Sequence, residues 1–482
     1  MCKDNAAYVH VKLWACSYYE YILVNNSNKN RKFSGATPTT TRRDAPTRLT
    51  NKTQSKTVKK QELNRTMASQ SSPTNGNGNA STTNVVASQF SNELLRCLVQ
   101  THSTDNVIVS PLQLEALLTL LYLGSDGSTA EELQRILQLA RYASNAKMAN
   151  HFATELQLST DPAADTHMQL CSELLLPAVL EISDEFRKIA QKYFHTTTVQ
   201  RDLCSIAKLR AQLDEDLTKA TADGYAWRIS DALLSTVTAL EASTAIALAA
   251  VHFQNKWFLP FSAYRTGLYD FQLSADEAPV ANGDSPPLAT AGPASVAVPM
   301  LFDDDMFVKF AELRELDARA IELPYEHDDE LAMLVVLPNR RDGLAALEQQ
   351  LHALDLNVLV ERMQMESVQV LLPKFKIDFE CSLRRTLEQL GLTTIFSKAA
   401  NFKNMLSANS TSSLTFSDIL HKVCIEVNES GTEGASSAAA YKPIMISNSI
   451  DSRKKFFRAD HPFYFAIRSP EATYFVGHVT KF

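Results

Sequence analysis

No run of eighteen apolar residues occurs in the 482-residue chain, so it carries no ordinary membrane-spanning helix. It has no Cys-x-x-Cys pair, no His-Glu-x-x-His, no Gly-x-Ser-x-Gly elbow and no Walker-type glycine loop. Those absences argue against structural zinc, zincin, α/β-hydrolase and P-loop chemistry. Gly76-Asn77-Gly78 is low-complexity sequence and no phosphate cradle. The seven cysteines are odd in number and widely spaced, which speaks against a disulfide framework. Cys97, Cys171, Cys204, Cys381 and Cys424 stand among apolar residues, where a free thiol behaves as a small hydrophobe. The eleven histidines are scattered, and His421 and His461 read as hydrogen-bonded structural residues. No constellation for an enzyme emerges, and no metal or cofactor is expected.

What is present divides the chain in two. Residues 1–85 carry 13 Lys and Arg against 4 Asp and Glu, leaving −16 of the net −7 on the remainder. An acidic folded part speaks against a nucleic-acid partner. Residues 25–84 are rich in Asn, Thr, Ser, Lys and Arg and too poor in aliphatics to offset the entropy of ordering. Residues 1–84 are therefore expected to be a basic, disordered, low-complexity extension. Within it, 6–24 is a weak signal or anchor segment, interrupted by His10, Lys12 and Glu20.

Order is expected from Val85. Phe90, Leu94, Cys97 and Leu98 recur at helical spacing to about Thr101, and 106–109 is a short strand. Ser110-Pro111 is a helix start, with Ser as cap and Pro at the first position, and the helix to Leu123 is apolar on most faces. Ser128-Thr129-Ala130-Glu131 spells a capping box for a helix to about Leu139. Residues 141–245 are mainly helical, with a strand at 170–176 and a helix at 183–193; 245–253 is a buried-strand run, and 274–296 is a surface insertion. Strand pairs follow at 296–301 with 306–310, and at 320–323 with 331–337. Then come a helix at 344–354, a long strand at 368–379 broken at Pro373-Lys374, a helix at 383–390 closed by Gly391, and a hairpin of 463–467 with 474–479. Helices first and antiparallel strands later make an α+β domain of roughly 400 residues, 85–482.

One stretch of that domain is unusual. After the β-type run 423–427, large side chains vanish from Gly431 to Ala440 apart from Glu433. A flexible linker reads much the same. Taken as an extended strand, however, the run has two unlike faces. Thr432, Gly434, Ser436, Ala438 and Ala440 are all small and uncharged, while Glu433, Ala435, Ser437, Ala439 and Tyr441 include the charge and the ring. That pattern suits a segment exposed at one time and buried as a strand in a tight sheet at another.

From 85 to 482 the chain resembles a serpin. Asn106-Val107-Ile108-Val109-Ser110-Pro111, Leu121-Tyr122-Leu123-Gly124 and Gly127-Ser128-Thr129-Ala130-Glu131-Glu132-Leu133 carry the resemblance early. Phe253-Gln254-Asn255-Lys256-Trp257, Glu322-Leu323-Pro324-Tyr325, Leu372-Pro373-Lys374-Phe375, Val427-Asn428-Glu429-Ser430-Gly431-Thr432-Glu433 and Ala459-Asp460-His461-Pro462-Phe463 continue it in family order.

The resemblance implies three β-sheets, eight to nine helices and an exposed reactive loop, here about 430–456. It also implies suicide inhibition of a serine protease, with a covalent acyl complex and insertion of the cut loop into the large sheet. The hinge would be Glu429, Gly431, Thr432, Glu433, Gly434, Ala435, Ser436, Ser437 and Ala438, with Thr432 the first residue buried on insertion. Family loop length puts the reactive bond at Met445–Ile446, with Ile444, Ile446 and Lys442 as alternative sites of cleavage; Met suits a chymotrypsin-like or elastase-like pocket. The region where the sheet opens maps to Ser110, Gln113, Ala249, His421 and Trp257. Two of these depart from the family: Ala249 stands where Asn is usual, and Gln113 where a small hydroxyl residue is common. The family's helix tryptophan is also missing, with Asp216 near its place.

The expected protein is thus an inhibitor, not an enzyme. It would be a monomer, and a secreted, extracellular glycoprotein with sequons at Asn25, Asn51, Asn64, Asn79, Asn409 and Asn428, the last expected to be unoccupied. An intracellular location is the alternative. The competing function is a non-inhibitory serpin-fold binding or storage protein that proteases cleave as a plain substrate. Small inward hinge residues favour inhibition; Ala249 and Gln113 favour the competitor.

Overall fold

The computed structural model describes residues 80–482 except 161–166, 202, 204–205, 221–226, 238–242, 274–294, 327–330, 352–354, 408–412, 433–441 and 444–453. Helix α1 (Ala80–Thr101) starts ahead of the expected Val85 and buries Phe90, Leu94, Cys97 and Leu98. Strand β1 (Val107–Val109) leads into α2 (Pro111–Gly124), where every residue but Leu123 is buried. The expected caps are not made. Ser110 donates its backbone N–H to His421 and its hydroxyl caps nothing. Helix α3 (Ser128–Ile136) is capped by Gly127, at φ +59, while Thr129 Oγ1 accepts from Asn401 N at 3.0 Å. Neither hydroxyl caps its helix: Ser110 Oγ has no partner, and Thr129 Oγ1 serves a tertiary contact instead.

Helix α4 (Asn145–Thr160), β2 (His167–Pro177), α5 (Asp184–Phe194), β3 (Thr196–Arg201), α6 (Ile206–Ala220), α7 (Asp231–Thr236) and β4 (Thr244–Lys256) follow. Strand β5 (Gly267–Gln272) precedes β6 (Ser295–Leu313). The sequence predicts two paired strands where β6 runs unbroken for 19 residues. Asp303-Asp304-Asp305 reads as a turn but forms a bulge, with Asp303 Oδ1 accepting from Asp305 N. Then come β7 (Ala318–Pro324), β8 (Ala332–Pro338), α8 (Leu344–Leu351), α9 (Leu356–Glu361), β9 (Gln364–Pro373) and β10 (Phe375–Ser382). The break at Pro373-Lys374 separates two strands that belong to different sheets. Helix α10 (Arg384–Gln389) is closed by Gly391 at φ +91. The remaining strands are β11 (Thr415–Val427), β12 (Gly431–Thr432), β13 (Lys442–Pro443), β14 (Lys455–Arg458), β15 (Phe463–Arg468) and β16 (Thr473–Val479).

Ten strands form one sheet, which β6 divides by pairing with β5 and β9 along one part and β7 along the other. The second sheet has six strands in the order β10-β11-β12-β4-β2-β3. Its faces alternate as strand geometry requires. Ala247, Ala249 and Val251 of β4 join the main core with α2, whereas Ile246, Leu248 and Ala250 pack beneath Leu209, Leu213 and Leu217 of α6. At its centre β11 and β4 run parallel and adjacent, from Thr415 opposite Thr244 to Ile425 opposite Phe253. This α+β architecture matches the expected class.

Candidate functional site

The boundary between β11 and β4 forms a seam whose two ends differ. At one end the seam is already parted. Thr432 pairs antiparallel with Val427 of β11 and with Asn255 of β4, so β12 fills the gap between them. Only glycine fits at 431: a Cβ there would lie 2.0 Å from Asn255 O. Thr432 is fully buried, where the sequence expects burial only on insertion. The reason is a receptor built for it: the Tyr325 and Thr432 hydroxyls are 3.0 Å apart, and burial pushes the Tyr325 phenol well above its usual pKa.

Tyr325 stacks on Trp257, with ring centroids 4.7 Å apart and planes at 10°. The indole N–H donates to Asn428 O at 3.0 Å, and Trp257 N donates to Ser430 O at 2.8 Å. Asn428 Oδ1 accepts from Ser430 N and Gly431 N, at 2.9 and 3.1 Å, which closes the turn into the hinge. Asn428 is buried with that oxygen engaged. Glu429 accepts from Lys374 Nζ at 2.8 Å. Burial raises the Glu429 carboxyl, but the Lys374 bond and charge together with further hydrogen bonds outweigh it and hold the pKa below the usual range.

In the middle the seam is closed. His421 of β11 lies opposite Ala249 of β4 and is fully buried. Its Nε2 accepts from Ser110 N at 3.0 Å, so Nδ1 carries the proton and donates to Ala249 O at 2.8 Å. Burial lowers the imidazole pKa to about 4, with the Ala249 bond opposing, so the ring is neutral at physiological pH. Gln113 Nε2 donates to Ala250 O at 2.9 Å.

The structure gathers Ser110, Gln113, Ala249 and His421 into one cluster. Trp257 belongs instead to the hinge group with Glu429, Gly431 and Thr432. Glu433, Gly434, Ala435, Ser436, Ser437, Ala438, Met445 and Ile446 lie outside the described residues, as do Asn409 and Cys204. Asp216 of α6 pairs with Arg201 at 2.9 Å. Sequence reasoning missed Tyr325 and Lys374 as hinge partners: Tyr325 is 107 positions from Thr432, and no local pattern marks the contact. Among the described residues no group of His, Cys, Asp and Glu could hold a metal ion, and no helix is long and apolar enough to cross a membrane.

Comparison with known proteins points the same way. The family model for Serpin (serine protease inhibitor) matches residues 86–482. Serine protease inhibitor 42Dd of Drosophila melanogaster is 27% identical over 398 residues, covering 82% of this chain and 96% of that protein. Leukocyte elastase inhibitor of Xenopus tropicalis is 26% identical over 386 residues, covering 79% and 93%. The crystal structure of Serpin48 from the insect Tenebrio molitor superposes with a TM-score of 0.68 at 24% identity, covering 84% of this chain and all of that one. With a family model spanning residues 86–482 and the hinge seated in the six-stranded sheet, the chain belongs to the serpin family.

Proposed function

We propose that the protein inhibits a chymotrypsin-like or elastase-like serine protease by trapping it as an acyl-enzyme. The protease serine attacks the Met445 carbonyl, the Ile446 amine leaves with a proton, and the freed hinge strand enters the β11/β4 seam. The seating of Gly431 and Thr432 carries this reading. The register continues coherently from there: six residues on from Thr432, Ala438 would fall opposite both Ala249, six before Asn255, and His421, six before Val427. Both neighbours thus accept one strand in one register, and its core-facing residues would be small. Each new ladder bond contributes roughly 0.5–1.5 kcal/mol net, so a full strand supplies on the order of ten. Names of relatives such as leukocyte elastase inhibitor support the target class. The sequons outside the hinge support secretion.

Incubation with chymotrypsin, elastase and trypsin, followed by denaturing gels, tests the proposal. A band at the summed mass with chymotrypsin or elastase is expected. Clean cleavage near Met445 with protease activity intact would instead favour the plain-substrate reading.

A further inference from the structure

Strand β5 has β6 on one side, and its outer edge is covered at two places. In an antiparallel pair the backbone groups of a residue either face its partner or face away. Leu268 of β5 stands opposite Pro299 of β6, which has no N–H to exchange, and the Pro299 carbonyl accepts from Lys374 N at 2.8 Å. The Leu268 N–H and carbonyl therefore face outward, away from β6. Gln272 has the same parity, and its N–H donates outward to Asp460 O at 2.8 Å. At Leu268 the cover is β13: Lys442 lies opposite Gly267 and Pro443 opposite Leu268, in a parallel pair. A residue that faces its partner strand in a parallel pair bonds to the two residues flanking the one opposite. Leu268 thus meets the Lys442 carbonyl and asks nothing of Pro443, whose missing N–H falls on the side away from β5.

We propose that this pairing is a strap that sets specificity: it fixes the reactive loop to β5 at Lys442-Pro443 and withholds the loop's single basic residue from trypsin-like proteases. The inference rests on the reading of the loop as protease bait and deepens it. Lys442 is the one Lys or Arg between Gly431 and Ser452. A trypsin-like enzyme would attack its carbonyl carbon, break the bond to the Pro443 nitrogen and hand that nitrogen a proton. Two features oppose this. The bond is a tertiary amide whose leaving nitrogen carries the proline ring and has no N–H for the enzyme. The carbonyl under attack is also the one that the Leu268 N–H engages at the β5 edge, whereas a protease needs the chain around the bond lifted free. Met445, the proposed bait, comes two residues after the paired stretch. The basic residue is held and the apolar one follows beyond the strap.

Trypsin digestion of the full chain tests the strap, read by mass spectrometry as release of a fragment beginning at residue 443. The wild type should give no such fragment. Pro443→Ala makes the bond an ordinary peptide and leaves the pairing intact, because residue 443 faces away from β5; cleavage after Lys442 should then appear, but slowly. Adding Leu268→Pro removes the N–H that holds the Lys442 carbonyl without breaking a bond to β6. It should speed that cleavage about five- to tenfold, the effect of one lost hydrogen bond on the population of the freed strand. Equal rates in the single and double variants, or a wild-type chain cut after Lys442, overturn the proposal. Hydrogen exchange at single-residue resolution tests the strap in the wild type, with no variant needed. The Leu268 amide should be protected in the intact chain and lose that protection once chymotrypsin or elastase has cut the loop. The Tyr269 amide, which faces Val298 of β6, should stay protected in both. A Leu268 amide that exchanges freely in the intact chain overturns the strap and leaves the inhibitory reading standing. Leu268 protection that survives the cut, with no covalent complex formed, removes the inhibitory reading and supports the strap.

Discussion

The two ends of the β11/β4 seam have opposite designs. At the hinge the strands are parted and the gap is filled by a residue that fits: Gly431 without a Cβ, Thr432 against Tyr325, Glu429 against Lys374. In the middle the strands touch, and His421 and Gln113 hold them shut while two buried oxygens go unpaired. Under the proposed insertion, the filled end would lower the cost of starting, because the first ladder contacts already exist, and the shut end would oppose completion.

The largest expected effect lies at the filled end. Thr432→Arg would bury an unpaired guanidinium at a cost of several kcal/mol. Covalent complex should be lost while cleavage near Met445 persists; an unchanged complex yield on denaturing gels would break the contrast between the two ends.

The shut end should show itself through pH. The His421 pKa in the fold, about 4, lies below its usual 6.5. The unfolded chain therefore binds the extra proton first as pH falls. The stability carried by neutral His421 is complete above 6.5 and is lost progressively between 6.5 and 4, on the order of 3 kcal/mol. Glu115 and Glu173, each pushed up to about 7 chiefly by burial, act in the opposite sense. For them stability is lost as pH rises from 4.5 toward 7. Denaturant titrations of wild type and His421→Gln across this range should separate the terms: the variant should show a smaller acid-side loss, with the part from His151, whose pKa burial also lowers to about 4, remaining.

Lys374→Ala should cost about 2 kcal/mol by leaving the Glu429 carboxylate buried without its partner. Combination with Glu429→Gln should recover most of that loss, and a failure to recover would mean that the pair does not hold the hinge. The smallest effect is expected beneath α6. Glu173 has one buried oxygen without a partner, so Glu173→Gln should raise the melting temperature at pH 8 by a few degrees. That gain should fade as pH falls from 7 toward 4.5, below which the carboxyl is protonated in both states.

Much of this was legible in the sequence, for reasons that differ by residue. The buried helix α2, the long apolar run of β4 and the terminal hairpin follow from local pattern, because burial on every face or alternate faces leaves a periodic trace. The alternation of small residues marked the stretch after Gly431 as two-faced, and only the resemblance to the family named it a hinge. What local pattern could not supply is partnership across the fold. Ser110 reads as a cap, yet its hydroxyl caps nothing and its N–H serves a histidine 311 positions away. Asp303-Asp304-Asp305 reads as a turn, and the pairing with β9 makes it a bulge. Gln113 reads as a departure that weakens a polar cluster; the structure gives it a bond to Ala250 O that restores a tie by another route.

The central claim is that the seam takes in a strand. Limited proteolysis in the loop followed by thermal melting tests it most directly. If the cut hinge strand enters between β11 and β4, the cleaved chain should melt well above the intact one, by roughly 20 °C for about ten kcal/mol of added pairing. A cleaved chain that melts at or below the temperature of the intact protein would contradict it.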